Sequence, residues 1–247
     1  MTPAFRAPAA SLAKLLDLLV FPSFCLLCGR PLGRPGERAV CRDCLDRLTP
    51  YEGSFCLCCG RFFDAAGENH LCRRCLDNPP EFSVHRSCGR YRGVLKDVIL
   101  LYKYRKVSAL SRALTDFAGR ALADRQEIWS GVDGLVPVPL HRRRRRERGF
   151  NQAQLLAREL ARRRGIGILG GCLVKTRNAP PQMTLRAGER EANVRGAYAV
   201  KGTRRLRGKV LLLVDDVFTT GSTLRECSRA LRQAGAAEVR ALTLAQA

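Results

Sequence analysis

The amino-acid sequence predicts an α/β fold, a parallel sheet preceded by a cysteine-rich segment that metal holds together. Three observations predict it. An apolar run, Val210–Val214, ends at the adjacent acids Asp215 and Asp216 and opens into the hydroxyl-rich loop Thr219-Thr220-Gly221-Ser222-Thr223. This is the pattern of a parallel strand buried on both faces and followed by a helix. From about residue 88 onward strand-like and helix-like patterns alternate, as successive βα units require. Residues 25–46 and 56–77 both carry the spacing C-x2-C-x12-C-x2-C, which supplies four thiolates to each of two tetrahedral sites.

The 247 residues suffice for one large or two modest domains, and 46% apolar content supplies a core. A formal net charge of +22 asks for an anionic partner: a phosphorylated substrate, a nucleic acid or an anionic membrane surface. Residues 1–24 read as an N-terminal helical segment with its apolar stretch over 11–20. Asp17 interrupts the apolar patch and no A-x-A site follows, so the segment does not read as an export signal. No run reaches the roughly 18 apolar residues of a membrane span. A cytoplasmic location is therefore expected, where the twelve cysteines serve as thiolate ligands rather than disulfides.

The ribbon segment, residues 25–78, holds two copies of one pattern at an offset of 31 residues. Cys25, Cys28, Cys41 and Cys44 form one candidate metal set, and Cys56, Cys59, Cys72 and Cys75 the other. A C-x2-C knuckle presents two sulfurs on one side of a turn, and two knuckles close a four-thiolate structural zinc site. Gly29 and Gly60 suit the backbone turn under each metal. Cys58 and His70 stand as alternative ligands in the second unit. Cys88, Cys172 and Cys227 stand isolated, and Cys172, at a strand start, and Cys227, in a helix, read as small buried hydrophobes rather than ligands. Such ribbons fold on their metal rather than on a core, and they serve either as architecture or as holders of nucleic acid or protein.

Pro79-Pro80 marks a linker, and a second domain spans 85–247. Strands are expected at Ser87–Tyr91, Gly134–Pro139, Cys172–Lys175, Ala197–Val200, Val210–Val214 and Val239–Leu244. Helices are expected at Leu95–Tyr102, Ser108–Ala123, Asn151–Arg164 and Ser222–Ala234, the last stopped by Gly235. Gly165, Gly167 and Gly170 match G-x-G-x-x-G, but they follow a helix and precede a strand, so the segment reads as a loop rather than a dinucleotide site. Arg142, Arg143, Arg144, Arg145 and Arg146 form an unbroken cationic run, read as a solvated, mobile loop at a strand end. It suits either a departing anion or a nucleic-acid backbone. Phe150, Tyr102 and Tyr104 lie among basic residues, where bases stack, although aromatics of this kind also fill cores.

The Asp215–Thr223 segment combines two chemistries. Backbone N–H groups at the start of a helix cradle a phosphate. The paired acids repel a phosphate and instead accept sugar hydroxyls or a Mg²⁺ ion. Together they describe a ribose 5-phosphate site; the alternative is a buried strand and an N-capped helix with no ligand.

The aliphatic strand, acidic pair and T-T-G-S-T loop resemble the phosphoribosyl pyrophosphate signature of the type I phosphoribosyltransferases. That resemblance implies that Asp215 and Asp216 bind the ribose hydroxyls while Val217, Thr219, Thr220, Gly221, Ser222 and Thr223 wrap the 5-phosphate. The order of the two cysteine units, LYKYRK, VPVPLHRRRRRERGFNQ, REANVRGAY and VDDVFTTGST over nearly the whole chain is similar to the ComF family. That likeness implies a type I phosphoribosyltransferase-like sheet behind an N-terminal Cys-rich zinc-ribbon domain. It also implies a link to natural transformation, to incoming single-stranded DNA and to the use of DNA as a nutrient. By the same likeness Lys103 is expected on the pyrophosphate side, with Arg148, Asp215 and Asp216 completing the candidate catalytic set; Asn151 and Gln152 match as well.

The expectation is a phosphoribosyl pyrophosphate- and Mg²⁺-dependent phosphoribosyltransferase with structural zinc. Its acceptor is open, and DNA-uptake or recombination proteins are candidate partners. The alternatives are a non-catalytic single-stranded DNA-binding module, using Arg142–Arg146 and Phe150, and an adapter that senses phosphoribosyl pyrophosphate.

Overall fold

The computed structural model describes residues 24–33, 37–105, 107–177 and 194–247. The expected helix over 11–20, Lys106 and positions 190–193 of the REANVRGAY segment lie outside the described residues. Two compact units divide at Arg47 and Leu48. The first holds the first cysteine set and the short helix α1 (Arg42–Asp46). The second holds everything from Leu48 to Ala247, including the second cysteine set and its matching helix α2 (Arg73–Asp77).

The second unit is built on four parallel strands in the order β1-β6-β5-β2: β1 Val84–Arg90, β2 Gly134–Pro137, β5 Val210–Phe218 and β6 Glu238–Gln246. Register is fixed by pairs such as Leu213 with Ala241 and Val136 with Leu213. Leu211, Leu212, Leu213 and Val214 are fully buried, as an apolar run covered on both faces must be. Truncating any one of the three leucines to Ala costs about 2–5 kcal/mol. Helices α3 (Gly93–Tyr104), α4 (Leu110–Ala121), α5 (Gln126–Trp129) and α7 (Gln152–Arg164) accompany the sheet, with α4 and α7 packed together and α7 lying on β2 and β5. Helix α8 (Ser222–Gln233) lies against β6. Leu211, Leu213, Leu224, Cys227 and Ala241 join the ligand cysteines Cys56, Cys59 and Cys75 in one apolar cluster.

Three sequence expectations are corrected. The strands over Leu173–Lys175 (β3) and Tyr198–Val200 (β4) pair antiparallel with each other in a separate two-stranded sheet. Three-residue strands carry too short a pattern to show which sheet they join. The arginine run is helix α6 (Arg142–Arg148) rather than a loop. His141 Nδ1 accepts the Arg143 N–H at 3.3 Å, Arg143 pairs with Glu147 at 3.1 Å, and Gly149 closes the helix at φ 82°. A cap, an i,i+4 pair and a glycine stop outweigh the repulsion of like charges whose heads stay in water. Strand β1 starts earlier than expected, because its polar residues His85, Arg86 and Ser87 are buried. His85 and Arg86 are satisfied by the second ribbon: His85 Nδ1 donates to the Cys59 carbonyl at 2.8 Å, and Arg86 Nη1 to the Leu57 carbonyl at 3.0 Å. The 165–170 glycine segment is a loop following α7, as expected, with Gly165 left-handed at the helix end.

Candidate functional site

In each cysteine set the four sulfurs lie within 4.8 Å of one another. Sulfur pairs stand at 3.6–4.0 Å in the first set and at 3.7 Å for Cys59 with Cys72 in the second. A tetrahedral zinc with Zn–S near 2.3 Å needs sulfurs about 3.8 Å apart, so both sets fit structural zinc. Backbone N–H groups tune the ligands. The Cys41 N–H donates to Cys25 Sγ and the Cys72 N–H to Cys56 Sγ, both at 3.3 Å. At Cys56 burial opposes ionisation, yet the N–H groups of Cys72, Cys59 and Cys58 bring the thiol down to about 7. The alternative ligands stand aside. Cys58 Sγ approaches the Phe82 carbonyl at 4.0 Å, and His70 stacks on Phe63 with ring centroids 4.3 Å apart. Cys227 is buried, as expected of a small hydrophobe, and so is Cys88, whereas Cys172, expected to be buried too, is only partly so at the start of the β3 segment.

The second site stands at the carboxyl end of β5, where open α/β sheets bind ligands. Asp215 and Asp216 belong to the strand itself, which runs on to Phe218. Lys103, in the last turn of α3, places Nζ 2.7 Å from Asp216 Oδ1. Burial works against the Lys103 ammonium, but the carboxylates of Asp216 and Asp215 outweigh it and raise its pKa above the ordinary lysine value. Asp215 moves further. Burial, then the Asp216 charge, push its carboxyl up to about 7 against the pull of the Asp216 N–H and Lys103. The Lys103 and Lys175 ammonium groups both act on Asp215.

The following loop turns at Gly221, φ 78°, where a side chain would strike the Phe218 ring. Thr220 Oγ1 and Ser222 Oγ lie 3.0 Å apart across the turn, and no side chain caps α8. The Ser222 N–H reaches Thr220 Oγ1 at 3.5 Å, and the helix dipole at this end favours an anion.

Of the other expected residues, Arg148 is tied to this site through Gln152. Arg148 Nη1 donates to Gln152 Oε1 at 3.3 Å, and Gln152 Nε2 donates to the Lys103 carbonyl at 3.4 Å. Gln152 is buried and its own carbonyl accepts the Tyr102 hydroxyl at 2.9 Å. Tyr102 is fully buried, which removes it from the stacking candidates. Phe150 is half-buried beside it, with centroids 5.6 Å apart. Tyr104 is 57% exposed, with the Arg148 guanidinium 5.2 Å from its ring centre.

Sequence reasoning missed Lys175 and Tyr198 on the β3–β4 hairpin. Burial, then the Arg144 charge, lower the Lys175 pKa, and Asp215 acts on it favourably. Tyr198 hydrogen-bonds Thr223, and burial holds its phenol far above the usual value. A lysine closing a short strand was the available signal. A cleft of about 590 Å³ opens beside this hairpin, lined by Pro137, His141, Arg142, Arg145, Asn151, Lys175 and Lys201 among others, with no carboxylate among the described residues of its wall.

The double zinc ribbon domain family matches residues 15–76, and the phosphoribosyl transferase domain family matches residues 147–247. Competence protein F of Haemophilus influenzae is 32% identical over 162 residues, 64% of this chain and 71% of that protein. DNA utilization protein YhgH of Escherichia coli is 32% identical over 224 residues, 90% of this chain and 96% of that protein. Competence protein ComFC of Bacillus subtilis is 28% identical over 225 residues, 89% of this chain and 76% of that protein. Among the described residues no helix is long and apolar enough to cross a membrane.

Proposed function

The chain belongs to the ComF family of double-zinc-ribbon, phosphoribosyltransferase-domain proteins, and on that premise we propose that it binds phosphoribosyl pyrophosphate with Mg²⁺ and transfers the phosphoribosyl group during DNA utilisation. The observation that carries this reading is the Lys103–Asp216 pair at 2.7 Å beside a second acid and the start of α8. Asp215, whose carboxyl is raised by burial and by the Asp216 charge, and Asp216 fit the ribose hydroxyls and Mg²⁺. When bound, Mg²⁺ neutralises the pyrophosphate and steadies its departure. The Thr219–Thr223 amides hold the 5-phosphate and fix the sugar's orientation. Lys103 exchanges its contact with Asp216 for a pyrophosphate oxygen, and Arg148, carried on the same Gln152 link, adds a second positive charge. The bond from the anomeric carbon to pyrophosphate breaks as the bond to the acceptor forms, so the protein supplies position and charge rather than a nucleophile.

The cationic cleft beside the hairpin receives the acceptor and favours one that carries negative charge. Pyrophosphate release, measured over a panel of anionic and neutral acceptors with and without single-stranded DNA, tests the reading. Asp216→Asn should abolish release with zinc content unchanged; unchanged release in that variant contradicts the assignment. A second reading, single-stranded DNA binding, is favoured by the exposed Tyr104–Arg148 pair beside the solvent-facing arginines of α6. Binding there should weaken steeply with salt, and a flat salt dependence rejects it. In that reading the role of an adapter to DNA-uptake or recombination proteins in the cytoplasm follows without turnover.

A further inference from the structure

We infer that the second zinc ribbon positions the phosphate loop, with Arg74 and the His85–Phe218 stack as the positioning residues. Three contacts lead from the ribbon to Thr219–Thr223. Before the turn, Arg74 Nη1 donates to the Thr220 carbonyl at 2.8 Å. After it, Arg225 in the first turn of α8 donates through Nη2 to the carbonyl of Asn78, the residue that closes α2, at 2.9 Å. Beneath it, the Cys59 carbonyl accepts from His85 Nδ1 at 2.8 Å, and the His85 ring stacks on Phe218 at 4.3 Å and 17°. The left-handed turn of Gly221 rests on that same Phe218 ring, which a Cβ at 221 would meet at 2.8 Å.

Each of these contacts starts within three residues of a zinc ligand. Arg74 sits between Cys72 and Cys75 on a helix of five residues. So short a helix does not persist on its own hydrogen bonds; the metal bound through its flanking cysteines holds it in place. Losing the metal therefore frees Arg74 and Asn78 together and loosens the Cys59 knuckle under His85. A loop of Thr, Gly and Ser has little packing of its own, so its pre-organisation for a phosphate comes from what grips it. Arg73, next along the same helix, pairs only with exposed Asp77 at 2.8 Å among the contacts described for it, and serves as the internal control.

The inference rests on the assignment of Thr219–Thr223 as the phosphate cradle, and the experiment separates the two. In the full-length protein without ligand, hydrogen exchange at 219–223 is compared for wild type, Arg74→Ala, Arg74→Lys and Arg73→Ala, together with affinity for phosphoribosyl pyrophosphate and Mg²⁺ and zinc content. Arg74→Ala should speed loop exchange and weaken binding about tenfold, as loss of a charged hydrogen bond does, with zinc content unchanged. Arg74→Lys should recover part of both, and Arg73→Ala should match wild type. Cys72→Ser should speed exchange at 219–223 more than at 210–214, whereas Cys28→Ser in the first ribbon should leave both alone. Loop exchange in Arg74→Ala equal to wild type, or a Cys72→Ser effect equal at both segments, overturns the inference. A wild-type protein that binds no phosphoribosyl pyrophosphate overturns the assignment of the cradle instead, and the exchange comparison still decides the coupling.

Discussion

Phe24 and Phe55 occupy the same place in their cysteine units, yet Phe24 is 51% exposed and Phe55 only 5%. Within the units the geometry is shared down to single hydrogen bonds. The Gly29 N–H donates to the Cys25 carbonyl at 2.9 Å, and the Gly60 N–H to the Cys56 carbonyl at 2.9 Å. Both glycines are left-handed. What differs lies around them. Phe55 is covered by the guanidinium groups of Arg86 and Arg125, each 4.6 Å from its ring centre. Among the described residues nothing lies within 4 Å of a side chain placed on Gly29, whereas one on Gly60 would strike the His85 carbonyl. The metal knuckle is thus a local device that its own residues specify, while its role depends on which surface it meets. The first ribbon belongs to a compact unit of its own; the second shares a core with the sheet that carries the candidate site.

Removing one ligand from each ribbon puts the largest strain on this contrast. Cys75→Ser should lose the second zinc and destabilise the sheet unit by several kcal/mol, because a structural metal's binding energy is folding energy. Cys44→Ser should lose the first zinc and leave the main calorimetric transition in place. A main transition that ignores Cys75→Ser would separate the second ribbon from the core. The glycines sharpen the point. Gly29→Ala should cost about 1–2 kcal/mol for its backbone alone, and Gly60→Ala about 1–3 kcal/mol more for the collision with β1, read from denaturant midpoints.

A smaller effect concerns pH. The Asp215 carboxyl titrates near 7 in the fold against about 3.8 unfolded, so the folded state keeps a proton that the unfolded chain has lost. The contribution of Asp215 to stability is then fully present below the ordinary carboxylate range and is lost as pH rises through about 7. Asp215→Asn should flatten that slope, and an unaltered slope contradicts the buried, crowded environment assigned to it. The smallest change is expected from Arg73→Ala, an exposed pair worth about 0.5 kcal/mol or less, measured by the same denaturation.

Most of the candidate site at the end of β5 was legible in the sequence because it is local. The run Val210–Val214, the two acids and T-T-G-S-T are contiguous, and strand, turn and helix start follow from their order. The zinc sets were legible for the same reason, since spacing alone brings the four sulfurs together. The remainder depends on distant partners. Lys175 and Tyr198 reach Asp215 and Thr223 only because β3 and β4 form a hairpin of their own. The polar start of β1 is buried only because the second ribbon supplies Cys59 and Leu57 carbonyls. The arginine run reads as a solvated loop until His141 and Gly149 are seen to cap it.

The central claim is that Asp215, Asp216 and the Thr219–Thr223 loop form a phosphoribosyl pyrophosphate site. Calorimetric titration of phosphoribosyl pyrophosphate with Mg²⁺ into the full-length protein and into Asp216→Asn tests it most directly. The account predicts saturable one-to-one binding to the wild type, weakened about tenfold or more in the variant with zinc content unchanged in both. No binding by the wild type, or equal binding by the two proteins, would contradict it.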